Sequence, residues 1–395
     1  MHDLLAEARA LLPQCVALRR SIHREPELGL DLPLTQAKVL DALNGLPLDI
    51  HTGRKTTSVV ADLRGAKPGK TIILRGDMDA LPLQEDTGLP FASEHQGKMH
   101  ACGHDAHTAM LASAARLLAS RQSELSGTVR FMFQPGEEGY RGAQVMLDEG
   151  LLDGDPAPSA AFALHATPRW AAGTITTRPG PVLASADSFR IIVTGRGGHA
   201  SAPHLSADPI PVACEIVTAL QTFVTRSVSV FEPGVVTVGK IEAGTTHNII
   251  PETATLTGTV RTVSPATRRH IVSNLNRVAQ GIADAHGVRA ETIVDEGYPV
   301  TVNDVEFARF VLDVARSLVG PECAPEQATP QMAAEDFSYV LERVPGAMVS
   351  LGTRPSGMSE AEAPAGHSNR YLLEEEAMVN GTAMYAAVAL EYLTT

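Results

Sequence analysis

Apolar residues recur at two different spacings along the first half of the chain. Up to about His23, and again over residues 35–44, they recur every three or four positions, which predicts two amphipathic helices. The runs TSVVADLRG and KTIILRGDMDA are short, apolar and rich in β-branched residues, which predicts buried strands. After a helix predicted over residues 107–120, TVRFMFQP and SAAFALHA are predicted as two further buried strands. Buried strands that alternate with helices predict an α/β fold with a mostly parallel central sheet.

The pattern changes in the middle of the chain. Residues 184–296 give the order strand, helix, strand, strand, helix, strand, and this order predicts a ferredoxin-like β-α-β-β-α-β unit. We therefore expect a discontinuous metal-binding catalytic domain, residues 1–183 and 297–395, interrupted by an inserted α+β domain over residues 184–296.

Composition excludes several classes of protein. The net charge is −13, and clustered basic residues are missing, which argues against a nucleic-acid partner. The four cysteines form no CxxC pair, so a disulfide framework is not expected. The sequence contains no run of 18 apolar residues, so a membrane span is not expected. The charged N-terminal helix does not resemble a secretory signal. We therefore expect a cytoplasmic protein without a membrane partner.

The segment HACGHDAHTAM carries the first candidate chemistry. Cys102 and His104 are ligand types that zinc-like ions prefer, and Gly103 between them permits an unusual backbone angle. For this segment alone, a buried thiol beside a helix-capping histidine is the favoured alternative. His100 and His107 are further candidates, for which a supporting role is favoured over metal ligation.

Other polar residues lie where predicted strands end. In sheets of this kind functional groups gather at the ends of strands. A further histidine lies late in the chain, in the predicted loop PAGHSNRYL. Turn-capping aspartates, a surface glutamate pair and a core histidine are the alternatives for single members of this set. The residues are Asp77, Asp79, Glu137, Glu138, His165 and His367.

Together, the order and spacing of these segments resemble the bacterial and plant N-acyl-amino-acid amidohydrolases. The matching runs are LRGDMDALPLQE, MHACGHDAHTAML, FQPGEEG, ALH and AGHS, and the opening RRSIHREPELG is also similar to the start of that family. The group includes hippurate hydrolase, the auxin-conjugate amidohydrolases and N-acetyldiaminopimelate deacetylase. It belongs to the aminoacylase/carboxypeptidase superfamily of dinuclear metallopeptidases.

The resemblance implies roles for individual residues. It implies Glu137 as the general base that activates the attacking water, with Asp77 or Asp79 supporting a ligand. In the inserted domain it implies a hydrogen bond from His199 to the reaction intermediate. It also places Asn248 and Arg261 near the substrate, where an arginine suits a free α-carboxylate. Two divalent cations (Zn, Mn, Co or Ni) would be held by Cys102, His104, Glu138, His165 and His367.

We therefore expect hydrolysis of the amide bond of an N-acyl amino acid by a homodimer or homotetramer. A dipeptidase or carboxypeptidase on the same scaffold is the alternative. A metal-binding protein without catalysis would lack a base, yet Glu137 is present. A redox role for Cys102 would require an exposed thiol with a low pKa.

Overall fold

The computed structural model describes residues 2–394 as nine α-helices and fifteen β-strands. The helices are α1 (His2–Arg24), α2 (Pro33–Leu43), α3 (His104–Ser120), α4 (Gly142–Asp148), α5 (Pro209–Ser227), α6 (Pro265–Ala285), α7 (Val305–Val319), α8 (Ser338–Leu341) and α9 (Met378–Thr394). The strands are β1 (Asp49–Thr52), β2 (Val59–Arg64), β3 (Lys67–Asp77), β4 (Ser126–Gln134), β5 (Pro158–Ala171), β6 (Ile175–Thr176), β7 (Gly180–Leu183), β8 (Ala186–Thr194), β9 (Gly198–His199), β10 (Gly234–Ala243), β11 (Ile249–Ile250), β12 (Thr253–Thr262), β13 (Arg289–Tyr298), β14 (Thr301–Asn303) and β15 (Gly346–Arg354).

The first compact unit comprises the chain up to Gly180, Val302–Thr329 and the chain from Asp336 onward. Its seven-stranded sheet has the order β1-β2-β4-β3-β5-β15-β6. The four central strands β4, β3, β5 and β15 are parallel, and the outer strands are antiparallel to their neighbours. The α/β fold with a parallel central sheet is thereby confirmed.

Burial on both faces explains why the central strands read as unbroken apolar runs. From Thr71 to Asp77 every residue of β3 is buried, as is usual for parallel strands covered on both sides. Helices α1, α3 and α9 pack against one another, and α3 and α9 also contact β3. The small side chains of the alanine-rich α3 allow this close approach, and most of that helix is buried.

Strand β5 is longer than the sequence pattern predicts. The pattern ends this strand at His165, but β5 continues to Ala171 and carries His165 in its interior. The parallel neighbour β15 keeps the strand extended, since Ser350 pairs with His165 and Arg354 pairs with Ala171. The predicted strand end at His165 is therefore wrong, because pairing with a distant segment outweighs the local Pro168.

The second compact unit comprises Pro181–Thr301 and Pro330–Glu335, and it includes the predicted span 184–296. Its antiparallel sheet has the order β10-β12-β8-β13, and α5 and α6 share a core with one face of that sheet. This is the predicted β-α-β-β-α-β order. Asp208 caps α5 by accepting from the Ile210 amide, and Ser264 caps α6 by accepting from the Thr267 amide.

None of the described helices combines the length and the apolar character required to cross a bilayer.

Candidate metal centre

The end of β3 supplies two carboxylates with different tasks. The carboxylate of Asp79 accepts the backbone N–H groups of Glu137 at 2.9 Å and of Glu138 at 3.0 Å. The backbone carbonyl oxygen of Asp79 lies 2.8 Å from Nδ1 of His104. Asp79 therefore fixes the turn that carries the glutamate pair and also orients a histidine of α3.

Asp77 is fully buried and is surrounded by an arginine and two histidines. Its carboxylate lies 2.6 Å from His107 Nδ1, 2.9 Å from Arg75 Nη1 and 3.3 Å from His104 Nε2. Burial alone would raise the pKa of Asp77, but the charge of Arg75 and the contacts with His104 and His107 outweigh burial and hold the pKa well below its usual range. Asp77 is thus an anion at neutral pH.

His104 offers a buried nitrogen lone pair. Gly103 before it has a left-handed φ of 87°, which places the histidine at the first position of α3 with its ring turned toward Asp79. Because Nδ1 donates to the Asp79 carbonyl, Nε2 is the free nitrogen, and it has no hydrogen-bond partner among the described residues. Burial alone would lower the pKa of His104, but Asp77, Cys102 and Asp79 together outweigh burial and raise the pKa well above its usual range. The site therefore favours a positive charge beside Nε2. A proton or a metal cation meets that need.

Cys102 and His165 face each other across the same site. The Cys102 Sγ atom lies 3.5 Å from His165 Nε2, while His165 Nδ1 lies 2.8 Å from the Ala166 carbonyl oxygen. Burial lowers the pKa of His165 to about 3 and raises the pKa of the Cys102 thiol to about 12. A neutral imidazole fits metal ligation, and a thiol with a raised pKa argues against a redox role. A bound cation would displace the thiol proton, because the thiolate is the form of cysteine that ligates metal.

Glu138 and His367 complete the cluster. His367 lies in a loop with a left-handed φ of 65°, and its backbone N–H donates to the Ala101 carbonyl at 2.8 Å. Its Nε2 atom lies 3.1 Å from Glu138 Oε1. Burial raises the pKa of Glu138, but the contacts with His367 and His104 outweigh burial and lower the pKa.

Two groups of potential ligands share one sulfur atom. Ligand atoms of Cys102, His104 and His165 lie within 4.8 Å of one another, and so do those of Cys102, Glu138 and His367. Among the described residues, the carboxylates of Asp77, Asp79, Glu137 and Glu138 lie in or beside these groups, and Arg75 contacts Asp77. A buried excess of negative charge with unpaired donor atoms fits a pair of divalent cations.

Glu137 is buried beside these groups. Its carboxylate oxygen Oε1 accepts the backbone N–H of Asp336 at 3.4 Å. A carboxylate oxygen of Glu137 also lies within 4.8 Å of potential ligand atoms of His104 and Glu138. Glu137 and Glu138 thus bring two carboxylates to the same centre.

His100 and His107 are not placed as ligands. The Nδ1 of His107 donates to Asp77, and its Nε2 accepts the Ala166 N–H at 2.7 Å, so both ring nitrogens are used. His100 is buried and belongs to none of the potential ligand groups among the described residues. His107 instead links Asp77 to the backbone next to His165.

The second unit brings two of its three predicted site residues together. His199 in β9 pairs with Ile249 in β11, and the Ala200 N–H donates to the Asn248 carbonyl at 3.1 Å. The His199 Nδ1 accepts the Ser201 N–H at 3.1 Å, so its exposed Nε2 carries the proton and can donate. Arg261 lies in β12 opposite Val235 and is half-buried.

Sequence reasoning missed a buried network behind the centre. Arg75 is fully buried and donates from Nε to Gln134 at 2.9 Å and from Nη2 to Asp336 at 3.2 Å. Asp336 also accepts from Gln134 Nε2 at 2.7 Å and from the Ala143 N–H at 2.9 Å. An arginine inside the apolar run KTIILRGD was the available signal, because a buried charge requires partners.

Comparison with known proteins gives a consistent result. Residues 73–391 match the model of "Peptidase family M20/M25/M40". The chain is 38% identical to an N-acetylcysteine deacetylase of Bacillus subtilis, with 98% of this chain and 99% of that protein covered. It is 35% identical to thermostable carboxypeptidase 1 of Saccharolobus solfataricus, with 99% and 98% covered.

A solved structure with the same fold is that of a dinuclear metal-binding M20 peptidase from Bacillus subtilis, at 35% identity and a TM-score of 0.85, covering 98% of this chain and 99% of the other. The family match, the shared fold and the cluster of potential ligands all indicate a metal-dependent hydrolase. The chain belongs to peptidase family M20/M25/M40 and is a metal-dependent amidohydrolase.

Proposed function

We propose that this protein hydrolyses the amide bond of N-acyl amino acids, releasing a carboxylate and a free amino acid. The observation that carries this proposal is the pair of ligand groups that share Cys102, with Glu137 buried beside them. The similarity to an N-acetylcysteine deacetylase over almost the whole chain supports the substrate class.

Cys102, His104, Glu138, His165 and His367 would hold two divalent cations. Such cations polarise the amide carbonyl and lower the pKa of the attacking water. A set of one thiolate, three imidazoles and one carboxylate accepts Zn, Mn, Co or Ni, and metal supply decides among them. Asp77 and Asp79 both support this set, through His107 and His104 respectively.

Glu137 would act as the general base. A carboxylate oxygen of Glu137 takes a proton from the water and returns it to the leaving amine. Asp79 holds the Glu137 backbone, and the Asp336 N–H donates to its carboxylate. These two bonds restrict the orientation of Glu137, so the base is placed before the substrate binds.

In the second unit, the Nε2–H of His199 would donate to the developing oxyanion, and Asn248 beside it would contact the substrate. Arg261 would bind the free α-carboxylate of the amino-acid half. We further propose that the second unit serves as a lid and a dimerisation domain, that the protein forms homodimers or homotetramers, and that it acts in the cytoplasm.

The variant Glu137→Gln tests the base. It should keep both cations by elemental analysis and lose about 100- to 10,000-fold in kcat on an N-acetyl amino acid, because the amide cannot accept the proton. Glu306→Gln, at an exposed glutamate of α7, is the matched control and should keep full activity. Undiminished turnover by Glu137→Gln would remove Glu137 as the base.

A carboxypeptidase activity is the second candidate, because a thermostable carboxypeptidase is similar over nearly the whole chain. A panel of N-acetyl and N-benzoyl amino acids, set against blocked and free dipeptides, separates the two activities. Faster hydrolysis of blocked dipeptides than of any N-acetyl or N-benzoyl amino acid, at equal metal loading, would favour the carboxypeptidase.

A further inference from the structure

The N-terminal run RRSIH has no role in the centre described above, yet two of its residues are almost completely buried. Arg19 and His23 are 2% and 1% exposed. They lie four residues apart in the last turns of α1, so their side chains leave the same face of that helix. A buried guanidinium and a buried imidazole on one helix face require polar or anionic partners nearby.

That partner is Asp105, the residue that follows the potential ligand His104. Asp105 is fully buried, and its Oδ2 accepts from Arg19 Nε at 3.0 Å and lies 2.8 Å from His23 Nδ1. We call Arg19, His23 and Asp105 the Asp105 clamp. The clamp ties the C-terminal end of α1 to the first turn of α3.

The clamp also reaches the segments on either side of the ligands. The His23 Nε2 lies 3.3 Å from Glu85, which follows Asp79 in the chain and accepts the Ser93 N–H at 2.7 Å. Arg19 Nη1 donates to Glu375, a few residues after His367, at 2.8 Å. One helix end therefore anchors three stretches of chain that supply or support ligands.

Local sequence does little to orient the first turn of α3. Its N-cap residue is Gly103, which makes no side-chain cap. Residues at this end of a helix otherwise depend on capping side chains for their backbone N–H groups. The direction in which Cys102 and His104 present their ligand atoms thus depends on tertiary contacts. Beside the contacts of Asp77 and Asp79 with His104, the Asp105 clamp is a buried, charged contact at this turn.

We propose that Arg19 and His23 are positioning residues of the metal centre, which act through Asp105 to orient Cys102 and His104. The inference rests on the proposed function, because it takes these two residues as ligands. Partners that orient ligands typically change metal affinity by about 10- to 100-fold, and we expect that range here.

The test compares Arg19→Met with Arg20→Met in cobalt-loaded protein. Both arginines pair with Glu375 and lie over the Phe91 ring, but only Arg19 contacts Asp105. Arg19→Met should change the near-ultraviolet thiolate-to-cobalt absorption and weaken cobalt binding about 10- to 100-fold in a chelator competition. Arg20→Met should keep the spectrum and affinity of the wild type.

If Arg19→Met fails to fold, His23→Gln and Asp105→Asn replace it, since both keep the approximate side-chain shape. A wild-type cobalt spectrum and affinity in every folded clamp variant would overturn the inference and leave the proposed function standing. Wild-type protein that binds cobalt without any thiolate absorption would overturn the proposed ligand set, and this inference with it.

Discussion

At the scale of single residues, His104 and His107 show how hydrogen bonds decide between similar side chains. They lie three residues apart in α3 and both are buried. His107 uses both ring nitrogens, on Asp77 and on the Ala166 N–H, whereas His104 uses only Nδ1. A nitrogen that accepts a backbone N–H has no lone pair left for a cation, so only His104 can ligate.

Replacing each histidine separately should therefore give different metal stoichiometries. At saturating metal, His107→Asn should still bind two cations per chain, with affinity weakened about 10- to 100-fold because the support of His165 is lost. His104→Asn should fail to fill one of the two sites. Elemental analysis after equilibrium dialysis measures both, and equal stoichiometry in the two variants would contradict this assignment.

At the scale of elements, buried charges connect strands and helices that are distant in sequence. Arg75 of β3 pairs with Asp77 and with Asp336, and Asp336 also binds Gln134 of β4 and the backbone of Ala143 in α4. Each charged side chain of this network thus forms an ion pair or a hydrogen bond, which is the condition under which buried charges are tolerated. Loss of one partner leaves another charge without compensation.

Asp336→Asn should lower the free energy of unfolding by about 3 to 5 kcal/mol, because Arg75 loses one of its two buried carboxylates. Urea denaturation measures the change. The matched control is Asp148→Asn, at an exposed aspartate that accepts from Gln144 Nε2, where a change below about 0.5 kcal/mol is expected. Equal effects would show that the network contributes no specific stability.

The contact between α1 and α3 makes stability depend on pH. Burial lowers the pKa of His23, and the charge of Arg19 lowers it by a smaller amount. The bonds to Asp105 and Glu85 outweigh both effects and raise the pKa to about 9. In the unfolded chain the pKa is about 6.5. The stabilising contribution is therefore complete below about pH 6.5 and is lost as the pH rises to about 9.

Metal-free wild-type protein should accordingly lose about 2 to 3 kcal/mol of stability relative to His23→Gln between pH 6 and pH 9.5. Urea denaturation at the two pH values measures this difference. His51→Gln, at an exposed histidine beside Asp49, should show a pH dependence parallel to that of the wild type. A constant difference between wild type and His23→Gln would contradict the raised pKa.

At the scale of the whole molecule, the described residues form two separate hydrophobic cores. One belongs to the first unit and contains residues of α1, α3, α9 and the parallel strands. The other lies between α5, α6 and the antiparallel sheet of the second unit. All five proposed ligands lie in the first unit, whereas His199, Asn248 and Arg261 lie in the second.

Metal removal should therefore destabilise the first unit selectively. Cations at a thousandfold excess over Kd stabilise a fold by about 4 kcal/mol, and chelation removes this contribution. In hydrogen exchange, the amides of α3, β3 and β5 should exchange faster after chelation, while those of β8, β12 and α6 should stay unchanged. Equal acceleration in both units would contradict the separation of the two cores.

Much of the fold could be predicted from the sequence, because the decisive signals are local. Apolar spacing predicted α1, α2, α5 and α6 and the buried strands β2, β3 and β4, since periodicity reports which face of an element is buried. The end of β5 could not be predicted, because pairing with β15 extends it past Pro168. Asp336 was missed because its partners come from three other elements.

By itself, the sequence determined the family, the two-part α/β architecture and the set of residue types able to bind metal, since each depends on local spacing or on motif order. Only the tertiary structure decided which contacts each of these residues makes. It separated His104 from His107, showed that Asp77 and Asp79 support different partners, and gave the RRSIH segment its contact with α3. These outcomes depend on which nitrogen or oxygen atoms meet across distant elements, and hydrogen-bond partners of that kind leave no periodic signal in a chain.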